Sequence, residues 1–169
     1  MPSHEILNRI ALRQAESGDT EFLFRLYAST REEELAAVPW KPAEKEAFLR
    51  QQFTAQHAFW KEHYAGTSFD LLLVDGEPAG RLYVARWPRE LRIVDIALVP
   101  EHRGGGIGTA LIQRLFTEAD REGKPVRIHV EVFNPARRLY DRLGFVQVED
   151  KGVYLLMERP PATDLVPVS

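Results

Sequence analysis

The sequence predicts a mixed α/β (α+β) layered domain. Three observations lead there: apolar stripes of helical period before residue 63, strand patterning from Phe69 onward, and a glycine-rich segment joining a strand to a helix. With 169 residues the chain can bury one proper core and is short for two. A single domain is expected over 1–159, with 160–169 as a proline-containing, flexible tail.

Ile6–Arg13 alternates loosely and is expected as a first strand. Ser17-Gly18-Asp19 offers a turn and an N-cap for a helix carrying Phe22, Leu23, Leu26 and Tyr27. Val38-Pro39-Trp40 interrupts the helical region. A second helix is expected from near Pro42 to His63, with Phe48, Leu49, Phe53, Phe59 and Trp60 on its stripe and Gln52 and Gln56 set among them. Leu71–Val74, the turn signal Asp75-Gly76 and Arg81–Val84 predict a hairpin. Leu91–Val99 reads as a buried central strand with Arg92 and Asp95 as its polar members. A helix from about Thr109 ends at Gly123-Lys124-Pro125. Val126–Phe133 is a further strand, Asn134-Pro135 opens a short helix ending at Gly144, and Phe145–Val148 with Val153–Met157 forms a final hairpin.

Composition narrows the function classes. The net charge of −3 gives no case for nucleic acid. The absence of cysteine removes disulfides, thiolate catalysis and thiolate metal sites. His57, His63 and His102 are too scattered to predict a metal site. Met1–Glu5 lacks a basic region followed by an apolar run, and no stretch reaches membrane-span length, so the expectation is a cytoplasmic protein without membrane contact.

The chemistry begins with Arg103-Gly104-Gly105-Gly106-Ile107-Gly108-Thr109. A strand, four glycines and an amphipathic helix make an anion site, because glycines admit positive φ and close approach while the helix N-terminus offers unpaired N–H groups. A nucleoside-triphosphate loop needs Gly-Lys-Ser/Thr at its end, and Gly108 is followed by Thr109-Ala110. A dinucleotide fingerprint would place Thr109 or Leu111 where its third glycine belongs.

Arg103-Gly104-Gly105-Gly106-Ile107-Gly108 is similar to the Arg/Gln-x-x-Gly-x-Gly/Ala signature of the GNAT superfamily of acetyl-CoA-dependent N-acetyltransferases. Asp95–His102 resembles that family's fourth strand and its exit. Asn134-Pro135-Ala136-Arg137-Arg138-Leu139-Tyr140-Asp141-Arg142-Leu143-Gly144-Phe145 resembles its second signature, with Asn134 and Tyr140 one position closer than in the commoner spacing. The resemblance implies a mostly antiparallel sheet flanked by helices, with central strands splayed at the cofactor site, and acetyl-CoA as cosubstrate without a metal. It implies that the backbone of Ile96, Ala97 and Leu98 pairs with the pantetheine arm and polarises the thioester carbonyl through an N–H. Gly104, Gly105, Gly106, Ile107, Gly108 and Thr109 would hold the pyrophosphate, with Arg103 and Asn134 as further contacts. A homodimer is compatible with it.

The implied reaction is direct attack of a neutral amine, on a small molecule or peptide, upon the thioester. Tyr140 is the candidate general acid, as the matching family tyrosine commonly is, because with an ordinary pKa of about 10 it is normally protonated and able to donate. Asp95, His129 and Glu131 are candidate bases, and a water chain is the alternative. Alternation puts His129 and Glu131 on one face with Arg127 and Phe133, opposite Ile128 and Val130. Anchoring on Asn134 puts His129 where some relatives carry a basic carboxylate, whereas anchoring on Tyr140 puts Ile128 there. In relatives the helices after the first strand form the acceptor wall, here Arg31–Glu34, Trp40, Gln52, Gln56 and His57. Gln52 and Gln56 either line a pocket or satisfy core backbone groups. A catalytically silent acyl-CoA-binding module on the same fold is the competing expectation.

Overall fold

In the computed structural model, which describes residues 2–162, helix α1 (Pro2–Arg9) leads into strand β1 (Ile10–Gln14). Helices α2 (Thr20–Thr30), α3 (Glu32–Ala36) and α4 (Pro42–His63) follow. Strands β2 (Thr67–Val74), β3 (Glu77–Trp87) and β4 (Glu90–Leu98) precede α5 (Ile107–Arg121). The chain continues through β5 (Val126–Glu131), α6 (Arg137–Arg142), β6 (Val146–Asp150) and β7 (Tyr154–Arg159).

Local chemistry accounts for most boundaries. The Asp19 carboxylate accepts the Glu16 N–H at 2.8 Å and so closes the turn before α2. Pro42 sits in the first turn of α4, where a missing N–H costs nothing. Asp75 (φ 51°) and Gly76 (φ 84°) both take left-handed backbone, as the tightest twisted hairpin turn requires.

The expected first strand over Ile6–Arg13 is corrected: its first half is the end of α1, and only Ile10–Gln14 is strand. Ile6, Leu7 and Ile10 have helical spacing as well as loose alternation, and burial decides between the two. Ile6 and Leu7 pack on the main core, with α1 lying against α5. Likewise β5 stops at Glu131 rather than Phe133. The chain turns there, with the Asn134 N–H donating to the Glu131 carbonyl at 2.9 Å, and Phe133 is left 95% exposed. Of the tail, Ala162 is tied to α5, its N–H donating to Asp120 Oδ1 at 2.9 Å. Residues 163–169 lie outside the described residues.

The strands form one sheet of order β1-β2-β3-β4-β5-β7-β6, antiparallel except for the β4–β5 pair. One face packs on α5. Leu82, Val84, Leu91, Ile93, Val126, Ile128 and Val130 meet Ile107, Leu111, Ile112, Leu115 and Phe116 there. Each such fully buried side chain contributes roughly 1.5–3 kcal/mol. The opposite face is covered by α2 and α4, through Leu23, Leu26 and Leu71 and through Trp60 against Tyr83 at 5.6 Å.

The central pair parts company. β4 and β5 share only the rungs Leu91↔Val126, Arg92↔Arg127 and Ile93↔Ile128. Beyond them β4 stays with β3 as far as Leu98, and β5 stays with β7 as far as Glu131. A bulge in the β3–β4 ladder, where Val94 is the extra residue between Ile93 and Asp95, bends β4 at that point. The result is a V-shaped opening in the middle of the sheet.

Candidate active site

One wall of the V is the β4 edge at Ile96, Ala97 and Leu98, which has no strand partner on the β5 side. Gly80 fixes how closely β3 holds this wall: a Cβ there would lie 2.3 Å from the Ala97 carbonyl oxygen. An isolated glycine within a strand pattern is a readable sign of such an approach, and it was missed in the sequence.

β4 runs out through a short turn, Pro100–His102, into the glycine loop. Gly104 (φ 76°) and Gly106 (φ 91°) take left-handed backbone, and Gly106 caps α5. The helix therefore starts at Ile107, two residues before the expected Thr109. The N–H groups of Ile107, Gly108 and Thr109 have no partner within the helix, and the Ala110 N–H donates to Gly106. A Cβ on Gly105 or Gly108 would meet nothing within 4 Å, whereas one on Gly106 would lie 3.1 Å from the Ile6 methyl. The loop is thus open on its outer side and buttressed by α1 beneath. Arg103 is otherwise engaged, donating to the Leu98 carbonyl and to Ser29 Oγ, both at 2.9 Å. It ties the end of β4 to α2.

Tyr140 on α6 is 7% exposed and packs edge-on against Phe145, 5.6 Å away, which in turn packs on Phe116 of α5. Burial first, and then the nearby charge of Asp95, push its hydroxyl up to about 12. Asn134 Oδ1 accepts the Ala136 N–H at 2.8 Å and shapes the entry to α6, which leaves its amide N–H groups as donors. Asn134, Arg137 and Arg138 line an open cleft of about 520 Å³.

The three candidate bases meet different fates. Asp95 is held by Arg81, whose Nε donates to Oδ2 at 2.6 Å. Arg81 is 3% exposed, and its guanidinium carbon lies 5.3 Å from the Trp60 ring and 5.1 Å from the Tyr83 ring. Its partnership with Asp95 is another feature that the sequence reading missed. It is visible only once β3 and β4 are set in register. Glu131 is exposed at the far end of β5, opposite Tyr154. His129 is half-buried on the face opposite Ile128 and Val130, in keeping with the expected alternation. Burial and Arg92 hold its pKa below the usual histidine range.

The acceptor wall is less uniform. Arg31 pairs with Glu34 at 2.7 Å and donates to the Tyr27 hydroxyl, while Glu32 and Glu33 are exposed, so this charge run is mostly a solvated face. Trp40, 43% exposed, rests on Phe48 at the rim. Gln52 is half-buried. Gln56 Oε1 is buried with no partner, so this glutamine oxygen does not satisfy core backbone. His57 packs edge-on against Phe69 at 5.2 Å, and burial lowers its pKa. Among the described residues no three His, Cys, Asp or Glu side chains gather into a metal site, and no helix is long and apolar enough to cross a membrane.

Residues 23–145 match the model of the acetyltransferase (GNAT) family. Among curated proteins no sequence gives a significant match. The paiA N-acetyltransferase from Thermoplasma acidophilum, solved in complex with coenzyme A, is similar at TM-score 0.67 and 17% identity, over 89% of this chain and 98% of that one. An acetyltransferase from Thermus thermophilus is similar at 0.64 and 22%, over 90% and 97% of the two chains. The ribosomal-protein-S18-alanine N-acetyltransferase from Escherichia coli is similar at 0.61 and 19%, over 95% and 99%. At such identities these likenesses speak for the fold alone. The family match covers well over half of the sequence and includes both signatures, so the chain belongs to the GNAT family of acetyltransferases.

Proposed function

We propose that the protein transfers the acetyl group of acetyl-CoA to a primary amine of a small molecule or peptide, by direct attack within a ternary complex. The observation that carries this reading is the V between β4 and β5, with the glycine-capped start of α5 beyond one wall and Tyr140 packed beside it. The residues fit the cosubstrate. The loop is open at Gly105 and Gly108, three N–H groups at the helix start have no partner within the helix, and the β4 edge has no strand partner beyond Ile93 on the β5 side. Gly104–Thr109 would hold the pyrophosphate and Ile96–Leu98 the pantetheine, with Asn134 offering its amide donors. When bound, acetyl-CoA supplies an activated thioester.

Tyr140, with its pKa raised to about 12, stays protonated across the physiological range. A thiol has a pKa of about 8.5, so full transfer of the tyrosine proton to a departing thiolate is uphill. Its contribution is a hydrogen bond to the sulfur as charge develops there, and the released thiolate takes its proton from water. Asp95 is the favoured proton acceptor for the amine. It stands at the start of the V, close enough for its charge to act on Tyr140, and Arg81 engages Oδ2. Glu131 is remote on the exposed end of β5.

The test is a thermal-shift panel with acetyl-CoA, ATP and NAD, followed by an acceptor screen that measures free thiol release. Acetyl-CoA is expected to give the largest shift, and thiol release to depend on added amine. A larger shift with ATP or NAD would defeat the reading. Acetyl-CoA binding without transfer to any amine would leave a binding module.

A further inference from the structure

His129 is the first β5 residue past the last β4–β5 rung, Ile93↔Ile128, and so stands where the V begins. A chain of charges on the same face leads to it. Glu158 accepts from Arg127 at 2.7 Å, Arg127 donates to Glu90 at 3.0 Å, and Glu90 accepts from Arg92 at 2.7 Å. Glu90 is 8% exposed, and the Arg92 guanidinium lies over the Trp87 ring at 5.3 Å. Held in this way, Arg92 directs Nη1 at His129 Nδ1 across 3.5 Å. An arginine can only donate, so a hydrogen bond across this contact has Nδ1 as its acceptor, and a neutral ring that accepts there carries its proton on Nε2. That Nε2 has no protein partner and is enclosed, so an acceptor oxygen reaches it only when the side chains around the ring give way. The other charged groups facing the ring are Glu149 and Lys151, from β6 and the turn after it.

We propose that His129 is a hydrogen-bond donor in the acetyl transfer, its Nε2–H meeting an oxygen of the acceptor, and that the acceptor is an amine with a carbonyl or carboxylate oxygen beside it. This rests on the acetyltransferase reading above and narrows its substrate class to amino acids, their amides and peptide N-termini. The β4 edge already supplies backbone donors for the thioester side, and His129 stands on the other wall. The neighbouring Arg92 cation favours an oxygen over an ammonium at that point. Glu90 and Arg92 are positioning residues, since they set which ring nitrogen carries the proton.

Two measurements test the proposal. Nitrogen-15 NMR of the histidine rings in the free full-length chain at neutral pH is expected to show His129 protonated on Nε2 alone. A proton on Nδ1, or on both nitrogens, overturns the donor assignment. This readout needs no turnover, so it stands or falls apart from the transfer reaction. The second compares alaninamide with isopropylamine as acceptors for acetyl-CoA, at equal free-amine concentration. The wild type is expected to prefer alaninamide at least tenfold in kcat/KM. His129→Gln, which keeps an N–H near the Nε2 position, should retain most of that preference, and His129→Leu should abolish it. Equal use of both amines, or of neither, overturns the acceptor class. Equal losses in the Gln and Leu variants, with a limb of the pH profile removed in both, would make His129 a base instead.

Discussion

The Tyr140 ring packs edge-on against Phe145, with Asp95 the charge that acts on its hydroxyl, and burial and that charge both oppose its ionisation. An exposed tyrosine would begin to ionise near pH 10, whereas this one resists to about 12. The rate profile should therefore show no descending limb from Tyr140 below about pH 10. Tyr140→Phe should bind acetyl-CoA almost normally and lower turnover by about tenfold or more, because it removes the donor and keeps the ring. Unchanged turnover would remove Tyr140 from the reaction. The same shift carries a stability consequence. A pKa raised on folding stabilises the native state fully below the unfolded value of about 10, and that contribution fades as pH climbs through about 12. Melting curves at about pH 9 and about pH 11 should thus fall further apart for wild type than for Tyr140→Phe. Identical pH dependence in the two proteins would mean that the hydroxyl is not buried as described.

At the scale of elements, the start of α5 separates what glycine does for the fold from what it would do for the proposed cosubstrate. Gly106 must adopt φ 91° and leave room for Ile6, whereas Gly108 lies inside the first turn with open space around it. Gly106→Ala is expected to destabilise the protein by about 1 kcal/mol or more, since an L side chain resists that backbone. Gly106→Glu should abolish acetyl-CoA binding through bulk and like charge. Gly108→Ala should fold at least as well, because alanine is the better helix former by about 1 kcal/mol, and should still bind. Calorimetric titration with acetyl-CoA decides the matter, and equal affinity in all three variants would place the pyrophosphate elsewhere. This loop was legible in the sequence because glycine spacing reports backbone geometry directly. The strands from Leu71 to Met157 were legible for a similar reason: alternation and turn residues are local. Arg81 and Arg92 were not, because each acts through a residue on a neighbouring strand, Asp95 for one and His129 for the other, and register is not written in local pattern. The first strand was misread because Ile6, Leu7 and Ile10 suit either period, and only burial against α5 selects the helix.

Across the whole molecule, α1 joins parts that lie far apart in the chain. Arg9 at its end pairs with Asp75 of the β2–β3 turn at 2.7 Å, and the Asp75 N–H donates to the Arg9 carbonyl at 2.8 Å. Ile6 reaches the underside of Gly106, so the helix braces the hairpin and the glycine loop together. It also precedes the 23–145 stretch that carries the family match. The exposed ion pair adds little by itself, and the apolar contact carries more. Ile6 is half-buried, so Ile6→Ala should cost about 1–2 kcal/mol, below the roughly 2–5 of a fully buried isoleucine. Deleting residues 2–9 should cost more and should also weaken acetyl-CoA binding, because Gly106 would lose the surface on which its left-handed turn rests. The measurement is paired: melting temperature without ligand, and the further shift that saturating acetyl-CoA produces. If α1 serves stability alone, truncation lowers the first and leaves the second intact. A smaller ligand shift in both the truncated protein and Ile6→Ala is the result expected of a helix that shapes the cofactor loop, and an undiminished shift in both would confine α1 to the core.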